Sequence, residues 1–293
     1  GRMKIGATFP QTEIGNDPIV IRDYAQAAEQ LGYDHVLVFD HVLGAHPDRF
    51  EGRFRPPYNN ATPFHEPFVL FGYLAAVTSK IELVTGILIL PQRQTALVAK
   101  QAAEVDVLSD GRLRLGVGIG WNFVEYEALG ENFGNRGRRI EEQVALLRKL
   151  WTEDLVDFDG KYHAIKQASI NPLPVQRPIP VWMGGVVDAV LRRIAAIADG
   201  WFPQFQPGTE SAETIQKLHG YIRAAGRRVE DVGIEGRIGL YNTADGQFGE
   251  RLDGWREMGA THITLHTMNA KLASPQEHID ALRRFMTVAR AYQ

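Results

Sequence analysis

No cysteine occurs anywhere in this chain, which excludes disulfides, thiol nucleophiles, thiolate zinc sites and iron–sulfur clusters. Strong charge is missing too. Thirty-two basic residues against 35 acidic ones leave a formal charge of −3, which argues against a nucleic-acid surface while leaving cations to grip a small anion. No apolar run reaches membrane-span length and no secretory leader is read at the front, so a cytoplasmic protein that does not contact membrane is expected. Gly1-Arg2 ahead of Met3 reads as a remnant of expression. There is no His-Glu-x-x-His, no His-x-His after a strand and no Gly-x-Ser-x-Gly, so neither a metal site nor a serine hydrolase is expected.

What the chain does have is a regular alternation of short apolar runs and helical periodicities. Lys4–Phe9 reads as a strand; Asp17-Pro18 then supplies a cap followed by proline, and Ile21, Tyr24, Ala25, Ala28 and Leu31 follow at helical spacing. His35–Phe39, Ile81–Leu90, Arg112–Val117, Ile179–Met183, Gly200–Phe205, Val232–Leu240 and His262–His266 read as further strands, separated by helices. Leu155–Ile165 reads as a small hairpin turning at Asp159-Gly160. Eight such units in order predict a (β/α)₈ TIM barrel with loop insertions, one domain over residues 1–293. Function then belongs at the C-terminal ends of the strands, where the loops 40–65 and 120–136 are long enough to act as lids or walls.

Glycine is concentrated at those ends. Gly116, Gly118 and Gly120 are spaced wrongly for a dinucleotide fingerprint, since Trp121 stands where the third glycine should come a residue later. Their backbone can still line a ligand. Gly184-Gly185 opens a helix at a strand end, a seat suited to an anion such as phosphate. Asp40-His41 sits where the second strand gives way to a loop, and an imidazole there titrates in the right range to move a proton. Among aromatics at strand ends, Trp121 and Trp201 are the candidates for substrate contact, with Gln11 and His266 behind them. Arg136, Arg138 and Arg139 read as a solvated helix start paired with Glu125, Glu127 or Glu141.

Together these segments resemble a known family. Phe39-Asp40-His41, Glu66-Pro67, Thr85-Gly86-Ile87, Ala99-Lys100-Gln101, Leu108-Ser109-Asp110-Gly111-Arg112, Gly116–Trp121, Pro180-Val181-Trp182-Met183-Gly184-Gly185 and Ala198-Asp199-Gly200-Trp201 occur in the order and spacing of luciferase-like flavin and deazaflavin oxidoreductases. Within that family the chain is similar to the branch that uses coenzyme F420. The resemblance implies a homodimeric barrel that binds a tricyclic ring over its strand ends. A non-prolyl cis peptide is implied at Gly86-Ile87, behind the ring. Asp40, Gly86, Ile87, Gly118, Gly120, Met183, Gly184 and Gly185 would contact the cofactor, and His41 would be the acid/base at the hydride-transfer centre. Trp121 departs from the pattern: sugar-phosphate-oxidising relatives carry a catalytic glutamate there, so an apolar wall for a different substrate is implied. The alternatives are an FMN-dependent monooxygenase served by a separate cofactor reductase, and a flavin-binding protein without turnover.

Overall fold

The computed structural model describes residues 2–293, and Gly1 of the leading Gly1-Arg2 pair lies outside the described residues. The barrel strands are β1 (Lys4–Thr8), β2 (His35–Val38), β3 (Glu82–Thr85), β4 (Leu88–Ile89), β5 (Leu113–Gly118), β8 (Val181–Gly184), β9 (Gly200–Phe202), β10 (Gly233–Gly239) and β11 (His262–His266), while β6 (Val156–Asp159) and β7 (Ala164–Ala168) form the separate antiparallel hairpin. All barrel pairings are parallel. They run β3-β2-β1-β11-β10-β9-β8-β5, and β5 returns to both β3 and β4, which closes the ring. The fold is therefore a (β/α)₈ barrel in which the third strand is made of two pieces, β3 and β4.

That split departs from the single strand expected over Ile81–Leu90. Gly86-Ile87, between the two pieces, is a cis peptide. Pro203 ends β9 early, because proline brings no N–H to the ladder.

The surrounding helices are α1 (Pro18–Gln30), α2 (Pro67–Val77), α3 (Thr95–Leu108), α4 (Phe123–Ala128), α5 (Arg136–Thr152), α6 (Asp188–Ile197), α7 (Thr209–Ala224), α8 (Phe248–Glu257) and α9 (Pro275–Ala289). Asp17 accepts from the Ile19 N–H at 2.9 Å and Glu66 from the Val69 N–H at 2.7 Å, each just before a proline at the first helical position. None of these helices is long and apolar enough to cross a membrane.

Alternation along the strands sorts residues into a helix-facing and an axis-facing set. Met183, Trp201 and Ile263 face the helices; Trp182, Gly184, Gly200, Phe202, Glu235 and Thr264 face the axis. The lower axis is polar. Glu235 accepts from Arg114 at 2.8 Å and from the Thr264 hydroxyl at 2.6 Å, and lies 3.2 Å from His35, while Arg114 also reaches Glu82. Burial alone would raise the Glu235 pKa, but His35 and Arg114 outweigh it and hold the group well below the usual carboxylate range. Small residues make room for this layer: a Cβ on Gly6 would stand 2.1 Å from the His35 ring, and one on Gly200 would stand 2.0 Å from Trp182.

Candidate functional site

The strand C-termini open on one cleft with two lobes. The outer lobe, about 390 Å³, is lined by Asp40, His41, Ile87, Gly118, Gly120, Trp121, Gly184, Gly185 and the valines at 186, 187 and 190. The deeper lobe, about 190 Å³, descends toward Glu235 between Thr8, Leu37, Phe202, Gln204, Arg237 and Thr264. Phe39, Gly86, Ile87, Gly184 and Gln204 belong to both.

Ile87 is the knob between the lobes. A Cβ on Gly118 would stand 1.9 Å from its Cδ1, and one on Gly184 would stand 3.5 Å from its Cγ2. Gly118 therefore leaves the space that the Ile87 side chain occupies. On the other side of the same peptide, a Cβ on Gly86 would run into Leu37 at 2.3 Å. Gly120 turns the chain with φ +67° and Gly185 with φ +120°, conformations that favour glycine. Beyond Gly185, helix α6 begins with Val187 as an N-cap that has no capping side chain. The amides of residues 186–189 find no acceptor among the described residues, and Val186 and Val187 line the outer lobe.

The loop after β2 is tied down by buried acids. Asp40 accepts from the Ile89 N–H at 2.9 Å and from Arg93 at 2.7 Å, linking β2 to β4. Burial works to lower the Arg93 pKa, but Asp40 and Glu66 outweigh it and raise the group. His41 follows, and its Nδ1 lies 3.1 Å from Glu125 Oε2, with the Tyr58 hydroxyl 2.5 Å from the same nitrogen. Glu125 is fully buried and accepts as well from the Val42 N–H at 2.6 Å, from Leu43 and from Gln92. That many donors suit a carboxylate anion, which only accepts. Nδ1 of His41 is shared by Glu125 and the Tyr58 hydroxyl, and Nε2, with no partner among the described residues, is left for the cleft. Burial first, and then the Glu125 charge, push the Tyr58 phenol pKa up, so it stays protonated.

An aromatic shell encloses the imidazole. Tyr58 lies 4.0 Å from it centre to centre, Phe64 4.7 Å and Trp121 6.5 Å, and Trp121 in turn packs on Phe50, Phe54 and Tyr58. The two long loops thus meet over the cleft, one bringing Tyr58 and Phe64, the other Trp121 and Glu125.

Of the residues singled out from the sequence, Asp40, His41, Gly86, Ile87, Gly118, Gly120, Trp121, Gly184 and Gly185 are brought together here. Four are not. Met183 is buried on the helix-facing side of β8. Trp201, also helix-facing and fully buried, donates from Nε1 to the Gly185 carbonyl at 2.6 Å, so it braces the glycine turn from behind. Gln11 is buried, donating to the Phe39 carbonyl at 2.9 Å and accepting from the His65 N–H. His266 packs between Phe39 and Tyr241; burial and then the Arg237 charge lower its pKa to about 4, so it is neutral.

The expected pairing of the 136–139 arginines needs correction. Glu125 belongs to His41, Glu127 pairs with Arg49, Glu141 with Arg193, and Arg139 turns to Glu131. Arg136 instead lies over the Phe133 ring and donates to the Gly120 carbonyl at 3.3 Å, steadying the glycine loop. The residues that sequence reasoning missed are Glu125, Tyr58 and Arg237.

The family described as luciferase-like monooxygenase matches residues 6–247. An uncharacterized protein of Mycobacterium tuberculosis is 40% identical over 185 residues, which is 60% of this chain and 62% of that protein, so the match spans less than two thirds of the relative. An F420-dependent glucose-6-phosphate dehydrogenase of Amycolatopsis mediterranei is 31% identical over 239 residues, 78% of this chain and 66% of that protein. An FMNH2-dependent dimethylsulfone monooxygenase of Pseudomonas fluorescens is 30% identical over 184 residues, 62% of this chain and 46% of that protein. Among solved structures, an F420-dependent secondary alcohol dehydrogenase superposes with a TM-score of 0.79 over the whole of both chains at 19% identity, a likeness of fold.

Proposed function

The chain belongs to the luciferase-like monooxygenase family, and from that premise we propose that it is a coenzyme F420-dependent oxidoreductase acting on a small organic substrate. The observation that carries this reading is the pairing of the Ile87 knob, set among bare glycines, with an imidazole whose free nitrogen faces the same cleft. The residues fit a flat, phosphate-bearing cofactor. Gly118, Gly120 and Gly184 offer backbone without side chains, and the unpartnered amides at the start of α6 suit a phosphate. Asp40 would anchor the head-group side of the cleft, through its bonds to β4 and Arg93.

When bound, the deazaflavin would supply a carbon that gives or accepts hydride. The chain's own part is the proton. His41 Nε2 would take a proton from, or return it to, the substrate atom that accompanies the hydride, while Glu125 fixes the ring and stabilises its charged form. Tyr58, Phe64 and Trp121 pack around the ring and limit its contact with water. Trp121 gives the wall apolar character and leaves no carboxylate there to accept a hydroxyl proton.

An FMN-dependent monooxygenase with a separate reductase is the second reading, and the 30% identical monooxygenase favours it. The proposal also keeps a homodimer, for which exposed Val69, Leu97 and Leu129 around one surface depression would be available. Anaerobic mixing of the protein and reduced F420 with a panel of enones, imines and ketones tests the assignment. Oxidation of the cofactor without oxygen supports it; turnover that demands oxygen and reduced FMN overturns it.

A further inference from the structure

On β10 the axis-facing residues are Glu235 and, two positions further toward the mouth, Arg237. Glu235 is consumed by Arg114, His35 and Thr264. Arg237 is not consumed by anything. Among the described residues its guanidinium makes no ion pair and no hydrogen bond, although it lines the deep lobe and its charge is felt by His266. Most arginines near the cleft are engaged: Arg93 with Asp40 and Glu66, Arg114 with Glu82 and Glu235, Arg139 with Glu131.

Two more polar groups in the same lobe lack protein partners. The Thr8 hydroxyl is buried and unpartnered, while the Gln204 side-chain amide is exposed at the rim of the lobe and makes no hydrogen bond among the described residues. A buried hydroxyl without a partner costs free energy unless a ligand or water satisfies it. A planar fork of N–H donors lining the same lobe matches an oxyanion with two oxygens on one atom.

We propose that the deep lobe is an oxyanion subsite, in which Arg237, assisted by Gln204 and the Thr8 hydroxyl, receives the carboxylate of the substrate. The substrate is then a small carboxylic acid whose reacting carbon lies away from its charged end, near Ile87 and His41. This rests on the reading of the outer lobe as the cofactor seat. The anionic edge or phosphate of the cofactor offers the same chemistry to Arg237, and the test separates the two sources.

Benzoate and its uncharged analogue benzamide serve as probes, titrated by calorimetry against the wild-type protein, Arg237→Gln and Arg237→Lys, each with and without saturating F420; F420 itself is titrated against the same three proteins. The expected result is selective benzoate binding in the wild type, at least tenfold weaker in R237Q and partly restored in R237K, with benzamide indifferent to both changes and F420 affinity changed less than threefold. Equal benzoate binding by wild type and R237Q overturns the subsite. So does a tenfold loss of F420 affinity in R237Q, which would give the guanidinium to the cofactor. Wild-type protein that ignores F420 yet shows the Arg237-dependent preference for benzoate keeps the subsite and removes the cofactor assignment instead. Arg237 is exposed and bonded to nothing through its side chain, so its variants are expected to fold.

Discussion

Glu125 and His41 meet at 3.1 Å across 84 residues of sequence, one from the short helix α4 and the other from the end of β2. The same carboxylate holds the Val42 and Leu43 amides, so it fixes both the backbone of the loop and the tilt of the imidazole. Replacing Glu125 by glutamine keeps an acceptor for the backbone but removes the charge that stabilises imidazolium. Turnover should fall at least tenfold with the fold intact. Alanine should also destabilise the protein, by about 1–3 kcal/mol, because buried amides lose their acceptor. Rates and urea midpoints of the two variants check this; a fully active Glu125→Gln would remove the dyad from the mechanism.

His41→Ala separates chemistry from binding. Loss of a positioned acid/base lowers turnover by roughly 10²–10⁴-fold. Cofactor affinity should change less than threefold, since the glycine backbone of the cleft rather than the imidazole would carry the cofactor contacts. Equilibrium titration beside single-turnover rates decides the matter, and an unchanged rate would end the proton-transfer role.

The glycines of β5 should respond differently to alanine. At Gly116 a Cβ would stand 2.0 Å from the Thr85 carbonyl oxygen, which is backbone and cannot yield, so Gly116→Ala should cost several kcal/mol, on the order of a strained core substitution. At Gly118 the obstacle is the far end of Ile87. Gly118→Ala should therefore fold, with the knob displaced and cofactor affinity lowered at least fivefold. Thermal melts and binding titrations of both variants test the contrast; equal melting temperatures would contradict it.

The barrel was legible because strand ends are punctuated. Asp17-Pro18 and Glu66-Pro67 announce helices that do begin there, and the short apolar run His35–Val38 between them is a strand. The glycines and Asp40-His41 were legible as a cleft for the same reason. Glu125 was hidden because α4 has six residues, too few to show a periodicity, although Asn122 caps it and an acid in the first turn was a usable signal. Trp201 and Met183 were misplaced through parity. Strand ends attract attention to aromatic and large residues, but Trp182 and Gly184 face the axis, so Met183 faces the helices, and the pairing of Met183 with Trp201 across β8 and β9 carries both outward. The same parity, applied along β10 from buried Glu235, would have found Arg237.

Stability should fall as acid is added even before the carboxylates titrate. Burial and the charge of Arg114 lower the His262 pKa to about 3, and burial and Arg237 lower that of His266 to about 4, both from an ordinary 6.5. Because the folded values lie below the unfolded one, the unfolded chain takes up protons first. The contribution is complete above about pH 6.5 and declines as pH falls toward the folded values, by about 1.4 kcal/mol per pH unit for each group. Urea unfolding between pH 7.5 and 5 should show this slope, and His266→Asn should remove one group's share. A flat profile in wild type would contradict the burial of these rings.

Whether this cleft takes a deazaflavin in preference to a flavin is decided by competitive titration. Purified protein is titrated with F420 and with FMN, following tryptophan quenching and cofactor fluorescence, and each ligand is then chased with the other. Micromolar or tighter F420 binding is expected, at least tenfold tighter than FMN, with F420 displacing FMN. Preference for FMN, or binding of neither, would contradict the deazaflavin reading.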